Sequence, residues 1–183
     1  IILIVNKKIM IDSNIQIEIR IESPSENYRK DIALTCRTAI EYSWETFRLQ
    51  LANNHHLSSI DDKNIEISVV FINDESMYEL NMKHRGKKKS TNVLSFPGDT
   101  LPPAPGATIL LGDIALCWAV IEKEAVGFGI PVKNHLTHLT IHGVLHLLGY
   151  DHDSTCAAER MEQLECHILS TMGIESPYEV MED

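Results

Sequence analysis

The segment HGVLHLLGYDH, residues 142–152, is where residue type and spacing could do chemistry. On a helix, His142 and His146 are four residues apart and share one face, with β-carbons about 6 Å apart, a separation that lets two imidazoles grip one ion. Gly149 follows where a left-handed turn can end the helix without strain. The chain can then fold back and bring His152 to the same point. Three nitrogen ligands with a fourth position left to water is the layout of a catalytic zinc site, although three imidazoles accept several divalent metals. The spacing H-x3-H-x5-H, with a glycine three residues after the second histidine, is also that of the metzincin proteases. Those enzymes need a glutamate immediately after the first histidine as general base, and here that position is Gly143, which can move no proton. The metal geometry is kept and the peptidase base is missing, so the ion is expected to work on something other than a peptide. A zinc peptidase or other hydrolase remains the alternative.

A second cluster sits upstream. Lys83, Arg85, Lys87, Lys88 and Lys89 place five of the chain's 16 positive charges within seven residues. The whole chain carries 26 acidic residues and a net charge of -10, which excludes a uniformly basic nucleic-acid binder and a polybasic membrane anchor. Such a cluster on an acidic body would steer a polyanion to one mouth; the alternative is a solvated loop of scattered lysines. Other residues leave two readings open. His138, four residues before His142, is a donor to a ligand, a proton carrier or a further ligand, or else a helix histidine with an ordinary hydrogen bond. Asp151 orients an imidazole or takes a proton, or shapes the turn at Gly149. Asp113 faces the site from a strand end or is a plain turn residue. No general base is assigned. His55, His56, His84 and His167 have no partner pattern, and Trp44 and Trp118 read as core. With 6% aromatic residues, an RNA-stacking sheet is not expected.

The elements that must position these residues follow from periodicity. At 183 residues, 44% hydrophobic and 23% charged, the chain fits one domain that needs no metal merely to hold it together. IQIEIRI, 15–21, alternates as a half-buried strand. A long helix from about Glu26 to Asn53 carries the stripe Ile32, Cys36, Ile40, Trp44, Phe47 and Leu51. A polar loop, a second strand over Ile65–Ile72 and a short helix over Asp74–Met82 with Asp74 as N-cap come next. The basic segment 83–89 is expected as a loop, before an apolar strand that ends at Pro97 and an irregular Pro/Gly loop over 98–106. A buried strand over Thr108–Cys117 precedes a helix over Ala119–Val126 closed by Gly127 and Gly129. The apolar helix Pro131–Leu148 and the amphipathic helix Ser154–Met172 complete the chain. The expected fold class is α+β: a small mixed β-sheet packed with helices, the metal site at the end of an apolar helix. Strand order is not legible. Cys36, Cys117, Cys156 and Cys166 read as free thiols of a reducing, cytoplasmic setting. Ile1–Val5 with Lys7 and Lys8 after it reverses the order of a signal peptide. The first Met is Met10, and residues 1–9 are expected as a non-core extension with 10–183 as the working domain.

HLTHLTIHGVLHLLGYDH, 135–152, resembles the signature of the YbeY family, bacterial metal-dependent endoribonucleases of rRNA maturation. Arg85-Gly86, STNVLSFP (90–97) and LGDI (111–114) agree with it, and Met161 and Glu165 sit where the family's last helix places a Met and a Glu. The resemblance covers roughly residues 65–175. Lys88 departs from it, standing where an acidic residue is common. The resemblance implies that His142, His146 and His152 bind one Zn2+ per chain and that Arg85 serves the reaction. The planar, permanently charged fork of Arg85 suits charge that develops on a phosphate. It further implies single-stranded RNA as substrate, at the 3' end of the small-subunit rRNA, with ribosomal particles as partners, a part in ribosome quality control, and neither DNA nor membrane. A non-catalytic ribosome-assembly factor, with zinc fixing the helix end, is the reading outside enzymology.

Overall fold

The period-two isoleucines and the β-branched run at 65–72 meet in one sheet. The computed structural model describes residues 4–5, 8–9, 15–22, 29–53, 64–98 and 108–178. Strands β1 (Ile4–Val5) and β2 (Lys8–Ile9) pair antiparallel with each other. The main sheet has four strands: β3 (Ile15–Ile21), β4 (Ile65–Ile72), β5 (Val93–Pro97) and β6 (Ile109–Cys117), in the order β3-β4-β6-β5. The first three in space run parallel and β5 runs antiparallel to β6. Parallel neighbours need a crossover, and α1 (Arg29–Asn53) supplies the one between β3 and β4. The mixed sheet and the helices match the expected α+β class.

Helix α2 (Asp74–Arg85) lies on one face of the sheet, where Met77 packs with Ile72, Leu94, Ala115 and Cys117. The other face carries Ile67, Val69, Phe71, Ile114 and Leu116 against Ile32, Cys36 and Ile40 of α1 and Leu136, Leu139 and Val144 of α4 (Val132–Leu147). Alternation along β4 and β6 sends odd and even residues to the two faces, as a two-residue period requires. Short α3 (Trp118–Phe128) leads into α4, and α5 (Thr155–Thr171) closes on it through Met161, Leu164, Ile168 and Leu169 against Ile141 and Leu145. Helix α4 is thus enclosed by the sheet, α1 and α5, which is why its sequence is apolar on most sides. All four cysteines are free thiols.

Several expectations need correction. The cap of α2 is Asn73, whose Oδ1 accepts the Ser76 backbone N–H at 2.8 Å, and Asp74 is the first helical residue. The helix runs three residues past Met82, so Lys83, His84 and Arg85 form its last turn and are not a loop. The cations suit the negative end of the helix dipole, and Gly86 takes the left-handed cap at φ 67°. Helix α3 likewise runs through Gly127 and closes only at Gly129, φ 66°. The start of the long helix before Arg29, the polar loop with His55 and His56 and nearly all of the 98–106 loop lie outside the described residues.

The LGDI motif has a backbone explanation. Glu66 pairs with Leu110 and Ile67 with Gly112, so Leu111 is an extra residue bulged out of β6. Gly112 there has φ 130°, and a β-carbon on it would stand 2.2 Å from the Phe96 carbonyl oxygen and 2.7 Å from the Gly98 nitrogen. We therefore expect Gly112→Ala to lower unfolding free energy by about 2 kcal/mol or more, from strain and displacement of β5 together. Urea titration of the metal-free protein measures it, and an unchanged midpoint contradicts this account of the glycine.

Candidate metal centre

Helix α4 turns His142 and His146 outward at its C-terminal end, while Gly143 faces the sheet. Its end is tied by the Tyr150 N–H to the Leu145 carbonyl at 3.0 Å, with Gly149 at φ 89°. Only a residue free of a β-carbon takes that conformation readily. The Tyr150 hydroxyl then reaches Gln50 of α1 at 3.1 Å, which fastens the returning chain. His152 is so carried back to the helix end, and one ligand atom from each of His142, His146 and His152 lies within 4.8 Å of the others. The three could hold a metal. The first two are half-buried and His152 is exposed.

The donor set fits a cation on its own chemistry. His146 Nδ1 lies 3.0 Å from the Tyr150 carbonyl oxygen, which can only accept, so this nitrogen carries the proton. His142 Nδ1 lies 2.7 Å from Glu165 Oε1, an ionised carboxylate, and carries a proton for the same reason. With Nδ1 so committed, each ring turns its Nε2 toward the cleft, a bare lone pair when the ring is neutral, and these two nitrogens are 3.1 Å apart. Facing lone pairs repel unless a cation, a proton or a metal ion, sits against both. Two ligands of a tetrahedral zinc would stand about 3.3 Å apart. On His146 a proton is poorly held: burial foremost, then the charge of a protonated His142, lowers its pKa to about 4.

Glu165 is the anchor behind the site. It comes from α5 and has 0% exposure. Its Oε2 accepts from His138 Nε2 at 3.1 Å and from the Tyr178 hydroxyl. Burial raises its pKa, but hydrogen bonds from His138 and His142 and their charge outweigh it and hold the carboxyl at about 2. His138 is therefore a partner of this carboxylate and lies outside the three-histidine cluster. Asp151 is exposed and accepts the Asp153 N–H at 3.2 Å, so it shapes the turn. Asp113 is neither a strand end nor a turn: it lies inside β6, alternates with the α4-facing Ile114, and so points to the sheet's other face. His84 packs edge-on against Phe96 at 5.0 Å.

Arg85, at the end of α2, faces the histidines across a cleft of about 210 Å³, with Lys87 and Lys89 on the same wall. Lys83 and Lys88 do not line it. The loop is held by the buried side chain of Asn81, whose Nδ2 donates to the Lys89 carbonyl at 2.7 Å. The STNVLSFP stretch forms the floor. Asn92 donates to Glu124 at 2.9 Å, and Ser95 donates its hydroxyl proton to the Gly143 carbonyl at 3.2 Å. A β-carbon on Gly143 would meet Ile114 at 3.0 Å and Ser95 at 3.2 Å, so the position of the metzincin base is packed against the sheet and has no room for a glutamate. Two supports escaped the sequence reading. Glu124 joins Asn92 to buried His135, 2.8 Å away, across 32 and 11 residues. Tyr178 follows the last helix in a segment without periodicity. Neither gives a local signal.

Residues 25–173 match the family model described as Endoribonuclease YbeY. Curated relatives named endoribonuclease YbeY, from Rhizobium johnstonii and Agrobacterium fabrum, are each 46% identical over 114 residues, 62% of this chain and 67% and 68% of theirs. A solution structure from Thermotoga maritima aligns at 21% identity with a TM-score of 0.47, over 86% of this chain and 92% of that one. Among the described residues, no helix is long and apolar enough to cross a membrane.

The depressed carboxyl of Glu165 makes a pH prediction for the metal-free protein. Its pKa falls from 4.5 to about 2, so its stabilisation is complete above pH 4.5, declines between pH 4.5 and 2, and is gone below. The contribution is on the order of 2–3 kcal/mol. Glu165→Gln should flatten the stability profile across that window, measured by urea titration at successive pH values. A variant as steep as the parent would remove Glu165 as the source.

Proposed function

The chain belongs to the endoribonuclease YbeY family, and from that premise we propose that it is a zinc-dependent endoribonuclease acting on single-stranded rRNA. The observation that carries the reading is the pair of Nε2 atoms 3.1 Å apart, with His152 beside them, opposite a basic wall with Arg85. His142, His146 and His152 are the proposed ligands of one Zn2+. Bound there, the ion would lower the pKa of a water toward neutrality. The rest falls to the chain's own groups. Glu165 and the Tyr150 carbonyl hold protons on the two Nδ1 atoms, so that each ring turns Nε2 to the ion. Arg85 sets its planar fork on the phosphate oxygens, where negative charge grows as the phosphodiester is attacked. Lys87 and Lys89 draw the backbone in.

Beside Val93 and Leu94 the cleft is lined by Asn, Thr, Ser, Lys, Arg and His, and among the described residues no aromatic other than imidazole lines it, which supports a grip on backbone in place of stacked bases. The cleft of about 210 Å³ is small beside a stiff duplex, which supports a flexible single strand as the substrate. The 3' end of the small-subunit rRNA, within ribosomal particles and in their quality control, is the proposed place of action. Four unbonded cysteines support a reducing, cytoplasmic setting.

The test pairs metal analysis of the purified protein with cleavage of single-stranded RNA, with and without chelator. We expect about one zinc per chain and chelator-sensitive cleavage. Arg85→Ala should keep the zinc and cut turnover by about 10²–10³-fold, as loss of a transition-state donor does. His146→Ala should lose the metal; full stoichiometry in that variant contradicts the ligand set. Zinc with no cleavage of free RNA or ribosomal particles replaces the enzyme with an assembly factor.

A further inference from the structure

The third hydrogen bond to Glu165 comes from beyond the last helix. After α5 the chain doubles back. The Ile174 N–H bonds the Leu169 carbonyl at 3.0 Å, and Ile174 packs on the cluster under α5. Ser176 Oγ lies 3.3 Å from Cys166 Sγ and accepts the Tyr178 N–H at 3.3 Å. This strap presents the Tyr178 ring edge to His138, with centroids 5.9 Å apart, and its hydroxyl donates to Glu165 Oε2. Burial first, then the charge of Glu165, raises the phenol pKa, so the donor proton stays in place. The strap itself, residues 174–178, lies past residue 173, where the match to the family model ends.

The other donor to that oxygen is loosely tethered. His138 Nδ1 is buried and has no hydrogen-bond partner among the described residues, so the imidazole is held at one nitrogen only. Tyr178 contacts both the ring and the carboxylate it serves. We propose that Tyr178 is a positioning residue of the metal centre, its hydroxyl locking the Glu165 carboxylate that orients His142, so that the strap of residues 174–178 tightens metal retention. The proposal rests on reading the three histidines as metal ligands.

The experiment is a zinc competition titration against a chromophoric chelator on the full chain, with Tyr178→Phe and Tyr178→Ala beside the parent, and the cobalt absorption spectrum of each. Partners behind a ligand change metal affinity by about 10–100-fold, and this one acts through another residue, so about 3–10-fold weaker binding is expected in Tyr178→Phe. The cobalt bands should shift. Tyr178→Ala should add little, since the hydroxyl carries the effect. Parental affinity and spectrum in Tyr178→Phe, or tighter binding, overturn the proposal. So does a loss seen only in Tyr178→Ala, which would mean ring packing. A parent that binds no zinc overturns the ligand reading itself, a result the variants cannot mimic.

Discussion

A carboxylate with no exposed surface, Glu165, is the constraint on which the site depends. Burying an unpaired carboxylate costs several kcal/mol, so the group must be surrounded by donors or it would protonate. The donors it finds are His138 and His142 of α4 and Tyr178 of the strap. That arrangement requires α5 to dock on α4 in one register, and Met161, Leu164 and Ile168 supply the apolar contact that holds it. The docking also decides a tautomer. With its Nδ1 proton committed to Glu165, His142 has one nitrogen left to face the cleft. The carbonyl of Tyr150 does the same for His146 through the glycine turn.

Helix α4 can carry such a site because its other sides are fixed. Gly143 lets the helix lie against Ile114 and Ser95, and the Ser95 hydroxyl bonds the helix backbone there. Strand β5 thus packs the helix with one residue and floors the cleft with its neighbours. At the end of the sheet β5 runs antiparallel to β6, and at Gly112 its last residues meet β6 too closely for any side chain. The two motifs that only supported the family resemblance, STNVLSFP and LGDI, are two sides of one contact.

What was legible in the sequence was whatever acts over a few residues. The alternation in IQIEIRI, the stripe of α1 and the four-residue step between His142 and His146 are set by local geometry. The turn that returns His152 was legible because a left-handed residue wants glycine. What failed depended on partners far along the chain. Strand order needs pairings between residues far apart in the chain, as in Ile15 with Ile65 and Ile65 with Ile109. The end of α2 was misjudged because apolar spacing stops at Met82 while hydrogen bonding and the helix dipole carry on to Arg85. Asp113 was misplaced because its face follows from the bulge before it. Glu124 and Tyr178 reach their partners only through the tertiary fold.

These acids also bear on how a net charge of -10 can coexist with a phosphate-facing cleft. Among the described residues that line the cleft, none is Asp or Glu. Two acids that hold its frame are engaged behind it. Glu124 bridges Asn92 and His135, and Glu165 bridges His138 and His142. Burial raises both pKa values, yet their hydrogen bonds prevail and both end lowered, which makes each a weak proton acceptor. Carboxylates tied in this way act as struts: one orients an asparagine on the cleft floor, the other a histidine on its wall. The repulsion they would exert on a phosphate is moderated by the imidazoles between. The positive groups, at the free end of α2 and on the loop after it, are left to face the cleft.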